Sequence, residues 1–458
     1  MKGHILIVCF ALFIFFINPT SSQAEGMADY CQMPSSISTP VDPNLLLLID
    51  TSGSMGWCAY SSATSGTCDK GTYNSSTIYE GYFDPTKYYQ PVSPSDGVTY
   101  CDPSTSNCLW VETAPTGVPC TRTCASWKCT SNTWGYDYCD SKGTHGCSSS
   151  KYACCSSWSL SGDCGVNSGN YLNYKYMRRV DILRWALTGG RLQSCNNSIQ
   201  TCDPEVYPNN QLTCDVDGCI LKGDDGTLVK APWERITGNN GGLLFQLKNF
   251  SPKPLIGAMF FDTNGVNRTV YIGDFTGSAS YDGVNPYKNV ITAINFEPPG
   301  GGTPTGPAMW DALNYLAQKD AQYGGPQPQT GSGNEWKNPM YRCFDKNNDG
   351  NCQGNEFELV PCAKNFVLLL SDGQWNTGGL PVATYCKIDS ADIESKSPDP
   401  VVPAYKMHKT GYTNLPTSIA SYVESVYAIG LWLGGTGERS LKNVAMYGAF
   451  DRNNTWPG

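Results

Sequence analysis

Asp50, Ser52 and Ser54 alternate in the segment Asp50-Thr51-Ser52-Gly53-Ser54. One carboxylate and two hydroxyls at this spacing are hard oxygen donors, with no imidazole or thiolate among them. They suit Mg²⁺, Mn²⁺ or Ca²⁺ rather than zinc. Two later segments carry matching chemistry, Gly301-Gly302-Thr303 and Ser371-Asp372-Gly373. Asp50, Ser52, Ser54, Thr303 and Asp372 together could hold a six-coordinate divalent cation with one position left open for a partner. Thr305 is the alternative to Thr303. Asp-x-Ser-x-Ser alone is an ordinary turn composition. All three segments in order, two of them ending apolar runs, carry the metal reading.

A second cation loop is Asp345-Lys-Asn347-Asn-Asp349-Gly350-Asn351-Cys352-Gln353-Gly-Asn-Glu356. It fits the twelve-residue EF-hand spacing for Ca²⁺. Asp345, Asn347 and Asp349 fall at positions 1, 3 and 5, with Gly350 at the sharp turn. Asn351 offers its carbonyl, Gln353 stands at position 9, and Glu356 is the bidentate ligand at position 12. Cys352 replaces the usual aliphatic at position 8, and flanking helices are not evident. The competing reading is an Asx-rich turn that binds nothing. The complete spacing favours calcium, stiffening the segment before Asn365.

Catalytic signals are poor, and the chain reads as a non-enzyme. His4 lies in the leader, leaving His145 and His408. There is no Gly-x-Ser-x-Gly elbow and no His-Glu-x-x-His helix. Ser52 as a nucleophile lacks a paired histidine.

The elements that must position these donors are readable as periodic apolar runs. Leu45–Ile49 is apolar without alternation, as expected of a strand buried on both faces. Asn365–Leu370, apolar after its first residue, and Val426–Leu433 read likewise, and Leu255–Phe261 and Val270–Ile272 read as strands around an Asn264-Gly265 turn. Helices are expected over 171–187, 243–247, 287–296, 308–317 and 419–426, with Gly189-Gly190 ending the first. Strands alternating with helices predict an α/β domain, a parallel sheet with helices on both faces, interrupted by disulfide-rich insertions. In such sheets ligands bind beyond the carboxyl ends of the strands, where the three oxygen-bearing segments fall.

Export is written into the first 24 residues: Lys2, an apolar stretch from Ile5 to Ile17, then Ser22-Gln23-Ala24. This is a signal peptide ending at Ala24, too short for a spanning helix, with an uncleaved anchor as the alternative. No stable membrane span is expected after cleavage. The chain has 31 basic and 40 acidic residues, a net charge of −9. That balance argues against nucleic-acid binding.

Of 22 cysteines, Cys9 leaves with the leader, so an odd number remains. Twelve lie between Cys58 and Cys164, four between Cys195 and Cys219 and four between Cys343 and Cys386, with Cys31 alone. Even groups point to locally closed disulfide sets of undetermined pairing, and Cys31 pairs with another chain or stays reduced. A zinc reading of Cys120, Cys124 and Cys129 fits poorly with an oxidised, exported chain. The expected organisation is a signal peptide (1–24), an α/β domain (25–56 and 166–458), a Cys-rich insertion (57–165), a second insertion (191–235) and the calcium loop (345–356). The first insertion has few aliphatics and is expected to rely on disulfides in place of an ordinary core.

These residues resemble a von Willebrand factor A domain with a metal-ion-dependent adhesion site. The resemblance implies a von Willebrand factor A-like (Rossmann-like) sheet. It also implies coordination by the hydroxyls of Ser52, Ser54 and Thr303, with Asp50 and Asp372 acting directly or through water. The open position would take a partner's carboxylate. Gly-Gly-Thr is the usual form of the second loop, which favours Thr303 over Thr305. Asp29-Tyr-Cys31, Pro43–Met55, Gly169–Asn173, Asp181–Gly190, Cys362–Gly373 and Lys442–Phe450 narrow the match. They are similar to the PilC/PilY family of type IV pilus tip proteins. Members continue into a large C-terminal β-propeller, whereas this chain stops at Gly458, and the twelve-cysteine insertion looks particular to it.

The resemblance implies an exported metal-dependent adhesin or pilus-biogenesis factor at the pilus tip or cell surface, reached through the periplasm. Its partners would be an extracellular ligand offering a carboxylate and the minor pilins. The alternatives are a non-adhesive scaffold that primes pilus assembly and a docking subunit of a secreted complex.

Overall fold

The computed structural model describes residues 41–65, 68, 71–95, 97–133, 136, 138–193, 214–215, 218–237, 241–279, 287–360, 363–372, 400–410, 423–433 and 435–450. The signal peptide, Cys31, Cys195, Cys202, Cys362, Gly373, Cys386 and residues 419–422 lie outside the described residues.

The principal sheet has five strands, in spatial order Gly265–Val270, Leu255–Asp262, Asn44–Asp50, Asn365–Ser371 and Val423–Gly430. The last four run parallel, and the Gly265–Val270 edge strand is antiparallel. Asn44–Asp50 sits at the centre and is buried along its whole length. Its side chains divide between two cores, as the two-residue period of a strand requires. Leu46 and Leu48 pack with helices Thr305–Leu316, Val401–Tyr405 and Gly435–Ala449. Leu45, Leu47 and Ile49 pack with helices Arg179–Thr188, Leu243–Leu247 and Lys288–Phe296. Helices thus cover both faces, which is why the central run shows no alternation.

Three local expectations are corrected. The helix expected over 171–187 is two helices, Gly169–Tyr176 and Arg179–Thr188. Met177 and Arg178 are extended, and the Asp181 carboxylate accepts the Arg178 N–H at 3.2 Å, starting the second helix afresh. The second strand of the hairpin is Gly265–Val270, not 270–272. It is a polar edge strand whose Asn267 and Arg268 bond Glu297, so apolar content does not reveal it. Finally, 423–426 is strand rather than helix, because Val423–Gly430 pairs with Asn365–Ser371.

The two insertions share structure. A six-stranded sheet runs in order Asn167–Ser168, Tyr88–Val92, Leu109–Thr113, Leu228–Ala231, Gly218–Lys222 and Cys214–Asp215. Its seam is the pairing of Leu109 and Trp110 with Leu228 and Val229. Beneath it, Tyr82, Phe83, Tyr89 and Trp110 form a core with Leu172, Met177, Leu221 and Val229. The first insertion therefore does possess a core, built from aromatic rather than aliphatic side chains. Its outer part is a three-stranded sheet, Thr121–Thr130, Tyr152–Ser161 and Cys139–Lys142. The twelve cysteines of this insertion pair among themselves: 58–68, 101–108, 120–164, 124–155, 129–147 and 139–154. Among the described residues, no helix is long and apolar enough to cross a membrane.

Candidate metal centre

Asp50 is the last residue of the central strand, and Ser371 ends its parallel neighbour. Pairing Ile49 with Leu370 brings both ends to one edge. The Asp50 side chain is fully buried, and both of its oxygens are engaged. Ser371 Oγ donates to Oδ2 at 2.6 Å, and the Ser52 N–H donates to Oδ1 at 2.8 Å. Burial pushes the Asp50 carboxyl up from 3.8 to about 6; the Ser371 and Ser52 bonds hold it down, and the charge of Asp372 adds to the rise.

Beyond Asp50 the chain enters a 3₁₀ turn, Gly53–Gly56, with Ser52 just before it and Ser54 within it. Ser52 Oγ and Ser54 Oγ lie 3.1 Å apart, and Ser54 Oγ donates to Asp372 Oδ1 at 2.8 Å. The other carboxylate oxygen of Asp372 meets Arg179 Nη1 at 2.7 Å. A continuous oxygen path thus runs Ser52, Ser54, Asp372.

The third loop is tied on by backbone. The Gly300 N–H donates to Thr51 O at 2.7 Å, and the Gly53 N–H donates to Gly301 O at 3.1 Å. Gly301 has φ 64°, and a Cβ there would lie 2.1 Å from Thr263 Oγ1, so only glycine fits the crossing. Thr303 and Thr305 are both buried. The Thr305 N–H donates to Thr303 O at 3.0 Å, and Thr305 opens helix Thr305–Leu316. Asp50, Ser52, Ser54 and Asp372 are therefore joined by hydrogen bonds, directly or through Ser371, and Thr303 sits on the loop locked against them.

Two carboxylates and serine hydroxyls converging without nitrogen or sulfur fit a hard divalent ion. Among the described residues, no three His, Cys, Asp or Glu side chains gather into a metal-binding group. An ion here would therefore depend on hydroxyl oxygens beside its two carboxylates.

Several neighbours were not evident from sequence. Ser371 positions Asp50, and Arg179 pairs with Asp372 while its guanidinium lies 5.2 Å from the Trp57 ring centroid and 5.6 Å from that of Trp432. The one available sequence signal was the charged pair Arg178-Arg179 inside an apolar periodic stretch.

A pH dependence follows from Asp50. Its carboxyl holds a proton more tightly in the folded chain than in the unfolded one. Metal-free protein should therefore gain stability as pH falls from above 6 toward 3.8 and lose that gain as pH rises through about 6. Melting with a chelator present should show wild type gaining roughly 2–3 kcal/mol over this window relative to Asp50→Asn. Parallel pH profiles for the two proteins would contradict it.

The Asp345–Glu356 loop is wound tightly on its own side chains. Asp345 Oδ2 accepts the Gly350 N–H at 3.0 Å, and Asn347 Oδ1 accepts the Asp349 N–H at 2.9 Å. Asp349 Oδ1 accepts the Asn351 N–H at 2.8 Å, and Gly350 takes φ 77°. Glu356, 4% exposed, accepts the Lys346 and Gln353 N–H groups at 3.1 and 2.9 Å. The flanks are strands, Tyr341–Cys343 and Phe357–Leu359, paired antiparallel. Cys352 is bonded to Cys343 and buried with Phe275, Trp336 and Phe357, which accounts for a cysteine where an aliphatic is usual. The oxygen donors again fit a hard cation.

Residues 130–223 match a family model described as the PilY1 homolog small alpha/beta domain. The matched span runs from the end of strand Thr121–Thr130 through helix Arg179–Thr188 to strand Gly218–Lys222, and it contains Arg179. It supports a PilY1-like relationship. It also begins inside the Cys-rich insertion that the sequence set apart as particular to this chain, so residues 130–165 are not private to it. No curated protein and no solved structure matches the chain.

Proposed function

We propose that this chain is an exported metal-dependent adhesin or pilus-biogenesis factor of the type IV pilus, acting at the tip or cell surface. The observation that carries the reading is the convergence of Asp50, Ser52, Ser54 and Asp372 at one sheet edge. The strand order, third-second-first-fourth-fifth in chain sequence with the third antiparallel, supports a von Willebrand factor A-like domain around it. The PilY1-like match supports the pilus and an exported location.

Ser52, Ser54 and Thr303 would offer hydroxyl oxygens, and Asp50 and Asp372 their carboxylates, to Mg²⁺ or Mn²⁺. Such an ion supplies an open coordination position for a carboxylate of an extracellular ligand or minor pilin. The protein's part is to hold the donors in register and shield them from water. The first two loops are joined by backbone, the Gly300 N–H to Thr51 O and the Gly53 N–H to Gly301 O. Cells carrying Asp50→Ala should lose divalent-dependent adhesion while keeping normal pilus number. Unchanged adhesion would sink the metal bridge, and altered pilus number with unchanged adhesion would favour the scaffold.

The Asp345–Glu356 loop we assign to Ca²⁺ as a stiffener ahead of strand Asn365–Ser371. Calcium should raise the melting temperature and shift the fluorescence of Trp336, which packs beside Cys352. Glu356→Gln should weaken the calcium response about tenfold or more. Equal calcium responses in both proteins would remove the assignment.

A further inference from the structure

We propose that Arg179 sets the charge of the candidate cation site, making it selective for a partner that brings a carboxylate together with the ion. The inference rests on the metal-site reading above and concerns which ligand chemistry that site accepts.

Arg179 and Asp372 are far apart in sequence, yet their side chains meet at 2.7 Å. The side chains are only 15% and 0% exposed, so solvent screens the pair weakly. The guanidinium is held rather than free to swing. The rings of Trp57 and Trp432 lie against it, and the Arg179 N–H donates to Trp57 O at 3.0 Å. Asp372 is shared, with one oxygen bonded to Arg179 and the other to Ser54. Any ion that uses Ser54 and Asp372 therefore sits beside a fixed positive charge.

The charge balance then decides what binds. Asp50, Asp372 and Arg179 together carry one net negative charge. A divalent ion turns this into one net positive charge, and a partner's carboxylate restores neutrality. Without Arg179 the ion alone would neutralise the two aspartates, and nothing electrostatic would call for a further anion. Arg179 thus weakens binding of the bare ion and raises the coupling between ion and carboxylate, each tightening the other by the same factor. Trp57, 40% exposed, offers an apolar rim next to the guanidinium.

The test is calorimetric titration of the whole chain with Mn²⁺, with and without saturating acetate, using Asp50→Ala as the blank for binding elsewhere. Arg179→Met should bind Mn²⁺ about tenfold or more tightly than wild type, and Arg179→Lys should stay within about threefold of it. Acetate should tighten Mn²⁺ binding about tenfold in wild type and in Arg179→Lys, and leave Arg179→Met unchanged. Arg179→Gln replaces the Met variant if melting shows that the latter does not fold. Wild type and the neutral variant binding Mn²⁺ equally, or responding equally to acetate, would overturn the role of Arg179 and leave the metal site standing. Binding no different from the Asp50→Ala blank in every variant would overturn the metal site itself, and the role of Arg179 with it.

Discussion

Asp372→Ala should lower the affinity of the chain for Mn²⁺ about a hundredfold or more and abolish ion-dependent adhesion. The size of the effect comes from the two jobs this carboxylate does. Its Oδ1 accepts from Ser54 Oγ, which lies 3.1 Å from Ser52 Oγ. Its Oδ2 balances Arg179. Alanine removes both, leaving a cation with nothing opposite it where a second cation is meant to bind. Asp372→Asn is the informative companion. Its carbonyl can still accept from Ser54, so the loop keeps its shape, but the charge is gone. Isothermal titration should show both variants crippled, and circular dichroism should show the asparagine variant folded. An asparagine variant that binds Mn²⁺ like wild type would mean that the carboxylate is structural.

Arg184→Ala should cost about 3–5 kcal/mol of stability, the largest single-site loss we expect away from the apolar cores. Arg184 is completely buried in helix Arg179–Thr188. Its Nε and Nη2 donate to the carbonyls of Ile294 and Glu297, at 3.3 and 2.7 Å. Nη1 faces Asp181 at 3.6 Å and Asp224 at 3.7 Å. One side chain thus joins the helix that bears Arg179, the segment leading into Gly300–Thr303, and the second insertion. Truncation leaves Asp181 buried without its counter-charge, and burial already pushes that carboxyl up to about 7. Chemical denaturation of Arg184→Ala against wild type measures the loss. A change below about 1 kcal/mol would show that water replaces the guanidinium without penalty.

What was readable in the chain was whatever is local. Leu45–Ile49 declares a doubly buried strand, and Asp50, Ser52 and Ser54 follow within five residues, so strand, edge and donors arrive together. Leu370-Ser371-Asp372 repeats the arrangement. Contacts between remote segments were not readable. Nothing near Arg179 announces that it faces Asp372, and nothing near Leu109 announces a pairing with Leu228. Helical period misled at Met177, where apolar spacing continues through a break set by the Asp181 cap. Aliphatic counting misled in the first insertion, where Tyr82, Phe83, Tyr89 and Trp110 supply the core. The edge strand Gly265–Val270 was hidden because polar Asn267, Arg268 and Thr269 interrupt it between buried Val266 and Val270.

Asp50, Ser52, Ser54, Thr303 and Asp372 are proposed to form one cation site. The most direct measurement is a crystal structure of the chain grown with Mn²⁺, with the ion located by its anomalous scattering. The predicted result is one Mn²⁺ between the serine hydroxyls and Asp372 at the sheet edge, with a coordination position facing solvent or a carboxylate. Mn²⁺ at the Asp345–Glu356 loop alone, with Ser54 still donating to Asp372 and no ion beside it, would contradict the claim.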